Sequence, residues 1–209
     1  MTTDGKRSGR RPGRPDTRQD ILNAARVAFA ADGYDRTSIR RIATDAGVDP
    51  ALIHHYFATK DRLFLAAIEA PFIPSELISQ VAEGDFATFG RRLVATFVQI
   101  WDGEIGERAQ AFLRSVIAHP DRRTLVNDFV LTQILREALG HAAPDLDHAE
   151  TRGSLVASQL LGLALTRNMF QLPPLQALTP EQIVRIYAPT IQRYLTAEAA
   201  ELGLTLSPE

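Results

Sequence analysis

From Asp16 onward, apolar residues recur at three- and four-residue spacing almost without interruption, and no alternating stretch of useful length occurs anywhere. Spacings of three and four line up side chains along one face of an α-helix, whereas a half-buried strand needs a period of two. The pattern commits the chain to an all-α fold in which each helix buries a stripe against its neighbours. Capping residues divide it into segments. Asp16-Thr17-Arg18-Gln19 opens like a capping box, and Ile21, Leu22, Ala25, Ala28 and Phe29 follow until Gly33 stops the helix. Thr37 is placed to cap a short second helix carrying Ile39, Ile42, Ala43 and Ala46, which Gly47 closes. Asp49-Pro50 restarts the chain as N-cap and first-turn proline, and a third helix runs to about Tyr56. Thr59 caps a fourth, with Leu63, Phe64, Ala67 and Ile68 on its apolar side.

The remainder reads as further helices, about nine in all. Pro71 and Pro74 break or kink the fourth. Phe86, Phe89, Leu93, Phe97 and Trp101 form one stripe, and Phe112, Leu113, Val116 and Ile117 the next, ended by His119-Pro120. Leu125, Phe129, Ile134, Leu135 and Leu139 follow up to Gly140. Two long segments remain, 148–170 and 180–197. The second opens on Thr179-Pro180-Glu181-Gln182, a capping box combined with a first-turn proline, and Pro189 inside it predicts a kink that frees the Arg185 carbonyl.

Composition narrows the class. A chain of 209 residues, 45% hydrophobic, can build a proper core. It has no stretch of the roughly 20 apolar residues that a membrane span needs, and no apolar run behind its basic start, so neither a membrane nor a secretory destination is expected. Cysteine is absent, which removes disulfides, thiolate metal sites and cysteine nucleophiles. The net charge of −2 conceals an asymmetry: residues 1–62 hold twelve Lys and Arg against eight Asp, so the head is basic and the rest acidic. Such a division suits a phosphate-binding module joined to a different kind of domain. Residues 1–15 carry one apolar side chain, Met1, and read as a disordered basic arm. Within it Pro12-Gly13-Arg14-Pro15 resembles a minor-groove hook; Arg14 either enters a narrow A·T groove or only touches phosphates.

Two short helices joined by a tight glycine turn, beside a basic arm, form a helix-turn-helix pattern. Ser38–Ala46 is the supporting helix and Pro50–Tyr56 the recognition helix. Ile53 and Phe57 share one face that can dock onto Phe29, Ile39 and Ile42. Asp49, Pro50, Ala51, His54, His55 and Tyr56 are left outward, with Leu52 at the edge.

The run Thr37-Ser38-Ile39-Arg40-Arg41-Ile42-Ala43, Ala46-Gly47-Val48, Ile53-His54-His55-Tyr56-Phe57-Ala58-Thr59-Lys60 and Leu63-Phe64 resembles the N-terminal signature of the tetracycline-repressor (TetR) family. The likeness is close over about residues 17–64. A weaker one, to an actinobacterial-type branch, lies in Ser158–Leu163 and Pro189–Leu195. It implies a helix-turn-helix DNA-binding domain over 16–62 and a helical ligand-binding and dimerisation body over 63–209. It further implies phosphate contacts from His55, Tyr56 and Lys60, base-edge positions at Asp49, Pro50, Ala51, Leu52 and His54, and a supporting-helix contact from Arg40. Thr37 and Ser38 join this DNA-binding set. The sequence departs from the family at Ala51, Leu52 and His54, where Gly, Thr or Ala, and Tyr are frequent, so the DNA sequence it reads does not transfer from relatives.

In the body, polar groups interrupt apolar stripes. Trp101, Phe112, Arg114, His119, Gln133, Asn168 and Met169 are candidates for lining a pocket that takes an unidentified small-molecule effector. Leu155, Gln159, Leu163 and Arg167 on one late helix, and Ile183, Ile186, Tyr187, Ile191, Tyr194 and Leu195 on the other, give helices apolar on more than one face. That pattern fits burial by a second subunit, and the named positions other than Ile186 and Leu195 are taken as the homodimer interface. No phosphate-binding glycine loop, nucleophile elbow or metal-spaced cluster occurs, and adjacent His54 and His55 diverge by about 100° on a helix. Neither enzymatic activity nor any cofactor or metal is expected. The sequence-level reading is a cytoplasmic, nucleoid-associated bacterial repressor released from a palindromic operator by its effector. The competing reading is a DNA-bound scaffold without effector, whose body binds another protein and exposes an apolar patch.

Overall fold

The computed structural model describes residues 16–71, 81–120, 126, 143 and 146–204. Nine α-helices occur among the described residues: α1 (Thr17–Arg36), α2 (Ile39–Ala46), α3 (Pro50–Phe57), α4 (Lys60–Ala67), α5 (Phe89–Asp102), α6 (Gly106–Ala118), α7 (Ala149–Leu163), α8 (Pro173–Gln176) and α9 (Pro180–Thr196). A 3-10 turn, Phe86–Thr88, leads into α5, and a π-helical segment, Ala164–Met169, continues α7. The helix expected around Leu125–Leu139 (Val126 apart), the candidate pocket residue Gln133, Arg14 of the basic arm and Pro74 all lie outside the described residues. No helix among the described residues is long and apolar enough to cross a membrane.

The chain divides after Ala67 into two units. In the first, α1 to α4 close on Ile21, Leu22, Ala25, Ala28, Phe29, Ile42, Ala43, Ile53, Phe57, Leu63 and Phe64, all buried. Its centre is aromatic: Phe64 meets Phe29 edge-on at 5.0 Å and Tyr34 at 5.2 Å. Leu63 and Phe64 belong to α4, which is why this unit extends past residue 62, where the sequence reading drew the boundary. Local chemistry sets the turns. Gly33 leaves helical geometry at φ 77° and breaks α1 before its last few residues. Gly47 caps α2 in the left-handed region at φ 65°, with its N–H on the Ala43 and Thr44 carbonyls, a conformation that a β-carbon penalises. Only half of the expected first capping box forms: Asp16 Oδ1 accepts from Arg18 N, while Gln19 turns away to Asn23.

In the second unit, α5 and α9 form the main pairing. Phe89, Val94 and Val98 of α5 pack with Val81, Val156 and Leu163, and with Ile183, Ala188, Ile191 and Leu195 of α9. The two helices approach closely at Gly90, where an added β-carbon would lie 2.9 Å from Gln192 N and 3.1 Å from the Ala188 carbonyl oxygen. Gln192 laces the pair, accepting from Gly90 N at 2.8 Å and donating to Phe86 O at 2.9 Å. The expected capping box at α9 is complete: Thr179 Oγ1 accepts from Gln182 N, and Gln182 Oε1 accepts from Thr179 N. Helix α9 stays one element through Pro189, whose ring lies on the exposed side.

Two buried arginines tie the body together. Arg152, 2% exposed, grips Asp147 through Nε and Nη2 and donates Nη1 to the Tyr194 and Ala197 carbonyls at the end of α9. Arg167, in the π segment, pairs with Asp102 of α5 and donates to the Leu175 and Leu178 carbonyls. This corrects the reading of Arg167 as a subunit contact, since it is 9% exposed and each of its three nitrogens donates within the chain. Leu163, Ile183 and Ile191 are corrected for the same reason: at 2%, 0% and 0% exposure they form the body's own core. The stripe through Ile183, Tyr187, Ile191 and Leu195 is the inward face of α9, and its outward face carries Arg185, Ile186, Pro189, Thr190 and Arg193.

Candidate nucleic-acid interface

Helix α3 presents its outer side from a firmly seated frame. Asp49 caps it, Oδ1 accepting from Ala51 N at 2.7 Å, and Pro50 fills the first turn. Ile53 and Phe57 are buried at 1% and 5% and fix the helix roll. Ala51, His54, His55 and Tyr56 are exposed, and Pro50 and Leu52 are half-buried. The structure thus places Pro50, Ala51, Leu52, His54, His55 and Tyr56 on one short helix capped by Asp49, with Arg40 on α2 and Lys60 opening α4. Small residues at its start let the backbone approach a groove, and the longer ones further on have the reach for phosphates.

The C-terminal end of α3 carries more detail. Ala58 sits at φ 61°, ψ −52°, with its N–H on the His54 carbonyl at 2.9 Å. The His54 ring returns the contact, Nδ1 lying 3.2 Å from the Ala58 carbonyl oxygen. His55 and Tyr56 meet edge-to-face at 5.5 Å. Arg18, from the first turn of α1, places its guanidinium 5.3 Å over the Phe57 ring. No sequence signal pointed to Arg18, because a contact between residues so far apart in the chain leaves no periodic trace.

Lys60 is poised rather than free. Its ammonium lies 4.3 Å from the Tyr34 ring centroid and donates to the Asp35 carbonyl at 3.3 Å. Burial lowers its proton affinity below that of an ordinary lysine, with the Asp35 carboxylate pulling the other way. An ammonium already stripped of part of its water pays less to exchange the rest for a phosphate. Beneath it, the Tyr34 hydroxyl donates to Asp61, whose carboxyl burial pushes above the usual carboxylate range. Tyr34, also unassigned from sequence, is the platform that positions Lys60.

The two arginines of α2 separate cleanly. Arg41 is tied to Asp32 and, at 3.6 Å, to Asp45. Arg40 is exposed and its guanidinium has no partner among the described residues, so it is the one available to an anion. Ser38 is exposed and is the true cap of α2, accepting from Arg41 N at 3.2 Å. Thr37 is corrected on both counts. It is 2% exposed and its hydroxyl donates to the Ala28 and Gly33 carbonyls, so it stitches α1 closed and its side chain reaches neither a cap nor DNA.

Of the candidate pocket residues, Trp101 lies beside Phe97 at 5.5 Å on α5 and Phe112 is half-buried on α6. Asn168 and Met169 are half-buried in the π segment, whereas Arg114 and His119 are exposed. Of the candidate interface residues, Leu155, Gln159, Tyr187 and Tyr194 are half-buried. Among the described residues no cluster of His, Asp and Glu could hold a metal ion.

A capped supporting helix, a left-handed glycine turn and a short second helix with an exposed polar face define a helix-turn-helix module. Comparison with known proteins agrees. Residues 21–67 match the model of bacterial regulatory proteins of the tetR family, and residues 87–195 match the tetracyclin repressor-like C-terminal domain. The chain belongs to the TetR family of transcriptional regulators. A TetR-family regulator from Streptomyces coelicolor A3 is 37% identical, covering 90% of this chain and 99% of that one, with a TM-score of 0.42. The HTH-type transcriptional repressor AcnR of Corynebacterium efficiens is 41% identical over 51 residues, 24% of this chain and 27% of the relative. The HTH-type transcriptional regulator BetI of Brucella anthropi is 41% identical over 54 residues, 26% of this chain and 28% of the relative. The chain thus spans about a quarter of the length of these two curated relatives.

Proposed function

We propose that this chain is a homodimeric repressor that reads a palindromic operator in double-stranded DNA through α3 and is released by a small-molecule effector. The observation that carries the reading is the exposed polar face of α3 flanked by Arg40 and the poised Lys60, set on a fully packed four-helix head. On this reading Ala51, Leu52 and His54 meet base edges, while Ser38, Arg40, His55, Tyr56 and Lys60 meet phosphates. The basic arm adds further phosphate attraction. Two heads on one dimer reach successive major grooves about 34–36 Å apart.

Dimerisation belongs to the outward faces of α7 and α9. Thr151, Ser154, Ser158 and Leu161 on the first, and Ile186, Pro189 and Thr190 on the second, are exposed, with Leu161 at 46% and Ile186 at 53%. Small residues beside large apolar ones suit close helix packing between copies. An effector acts by linkage: it binds the DNA-incompetent state more tightly, and DNA weakens the effector by the same factor. The similarity of the head to AcnR, a transcriptional repressor, supports repression over activation. The protein works in the cytoplasm, on the nucleoid, and catalyses no reaction.

Selection from random duplex DNA with the purified protein tests the reading. Recovery of a two-fold-symmetric site is expected; recovery of no preferred sequence would overturn it and favour the scaffold.

A further inference from the structure

Among the exposed residues of α3, His54 has its ring orientation fixed by a hydrogen bond. Residues 54 and 58 exchange two bonds: Ala58 N–H donates to the His54 carbonyl at 2.9 Å, and the imidazole Nδ1 lies 3.2 Å from the Ala58 carbonyl oxygen. A carbonyl oxygen only accepts, so Nδ1 carries the proton. In the neutral ring Nε2 is then a bare acceptor, exposed and without a partner among the described residues. The turn that ends α3 thereby selects one tautomer and holds the ring in one pose before any ligand arrives.

We propose that His54 is a specificity-determining residue whose fixed Nε2 acceptor selects an exocyclic amino group in the major groove. The inference rests on the operator-binding reading above and adds which base chemistry this position accepts. The amino groups displayed there are adenine N6 and cytosine N4; guanine O6 and N7 and thymine O4 are acceptors, and face Nε2 with like against like. Because the pose is set by folding, little side-chain entropy is lost on binding, and a wrong base leaves an acceptor desolvated without a donor. His54 lies one turn after Pro50 and Ala51, whose short side chains leave room for the ring to approach a base.

The test starts from the operator that selection yields. Comparison of wild type with His54→Ala identifies the base pair whose preference His54 sets. The contacted adenine is then replaced by purine, or the contacted cytosine by 2-pyrimidinone, which deletes the amino group alone. Wild type should lose roughly tenfold in affinity. His54→Ala should lose nothing further from the same deletion, which closes a double-mutant cycle and subtracts any change in the duplex itself. The wild-type arm does not depend on the variant's folding, and His54→Phe, which keeps the ring's bulk without its nitrogens, should behave as His54→Ala does.

An equal loss in wild type and variants would overturn the proposal. So would a loss of wild-type affinity, absent in the variants, when N7 of the purine in that pair is replaced by carbon with the amino group kept. A symmetric site with no position relaxed in the variants would overturn this inference and leave the regulator reading standing. Absence of any selected site would overturn both.

Discussion

At the residue scale, the cations of the head differ in what they touch. Arg41 is committed to Asp32 and Asp45, Arg40 is not, and Lys60 waits on the Tyr34 ring. Lys60→Ala should weaken binding to operator and to unrelated duplex alike, reducing the slope of log K against log salt by about one for each head. An unchanged slope in titrations across salt concentrations would remove Lys60 from the phosphate set. Asp61 gives a pH signature. Its folded-state value is raised above the ordinary 3.8 by burial, so the folded protein binds its proton more tightly than the unfolded chain does. The associated stability is present below 3.8 and is lost as pH rises through the raised value. Asp61→Asn keeps an acceptor for the Tyr34 hydroxyl and should erase that component; urea midpoints of variant and wild type that run parallel with pH would contradict this. Local roles were legible from sequence where a motif fixes them, as at the Asp49 cap and the Gly47 turn. They were not legible where the partner is distant: Tyr34 beneath Lys60 and Arg18 over Phe57 are products of packing alone.

At the element scale, helices and their caps were largely written in the sequence, because three- and four-residue spacing and capping residues are local signals. Which face of a helix looks inward was not. Helix α9 is apolar on several sides, and only the fold shows that Ile183 and Ile191 face α5 while Ile186 faces out. Thr37 illustrates the same limit: an N-cap and a buried clasp look alike in sequence, and burial decides between them. Two element contacts that periodicity could not reveal carry stability predictions. Arg152 ties the α7 start to the α9 end; Arg152→Ala leaves the exposed Asp147 carboxylate to water but strips two end carbonyls of their donor, at a cost of about 1–3 kcal/mol. Gly90→Ala drives a methyl into the α9 backbone and should cost about 1–3 kcal/mol, since the helices must part to admit it. Chemical denaturation reads both; a loss under half a kcal/mol in either would show that the contact is dispensable.

At the scale of the whole molecule, the proposed reading of a palindromic operator needs two heads, the second supplied by a second copy. If α7 and α9 supply the seam, a charge at Ile186 or Leu161 separates the copies. Ile186→Glu should give a folded monomer by light scattering, with helical content unchanged and operator affinity reduced far more than the affinity for a half-site. A dimer that survives both substitutions would place the interface elsewhere. The division into a basic head and an acidic body was already visible in the charge distribution, and the family models match each part separately. Effector identity was not legible at this scale, because a pocket is made of side chains from several helices and no spacing in one helix encodes it.

A head that reads sequence differs from one that merely attracts phosphate in the ratio of two affinities. Binding to the selected duplex and to a scrambled duplex of equal length and composition should be measured at physiological salt. Sequence reading should give a preference of roughly a thousandfold or more, with both affinities falling as salt rises. A ratio near one, with both affinities set by salt alone, would contradict it.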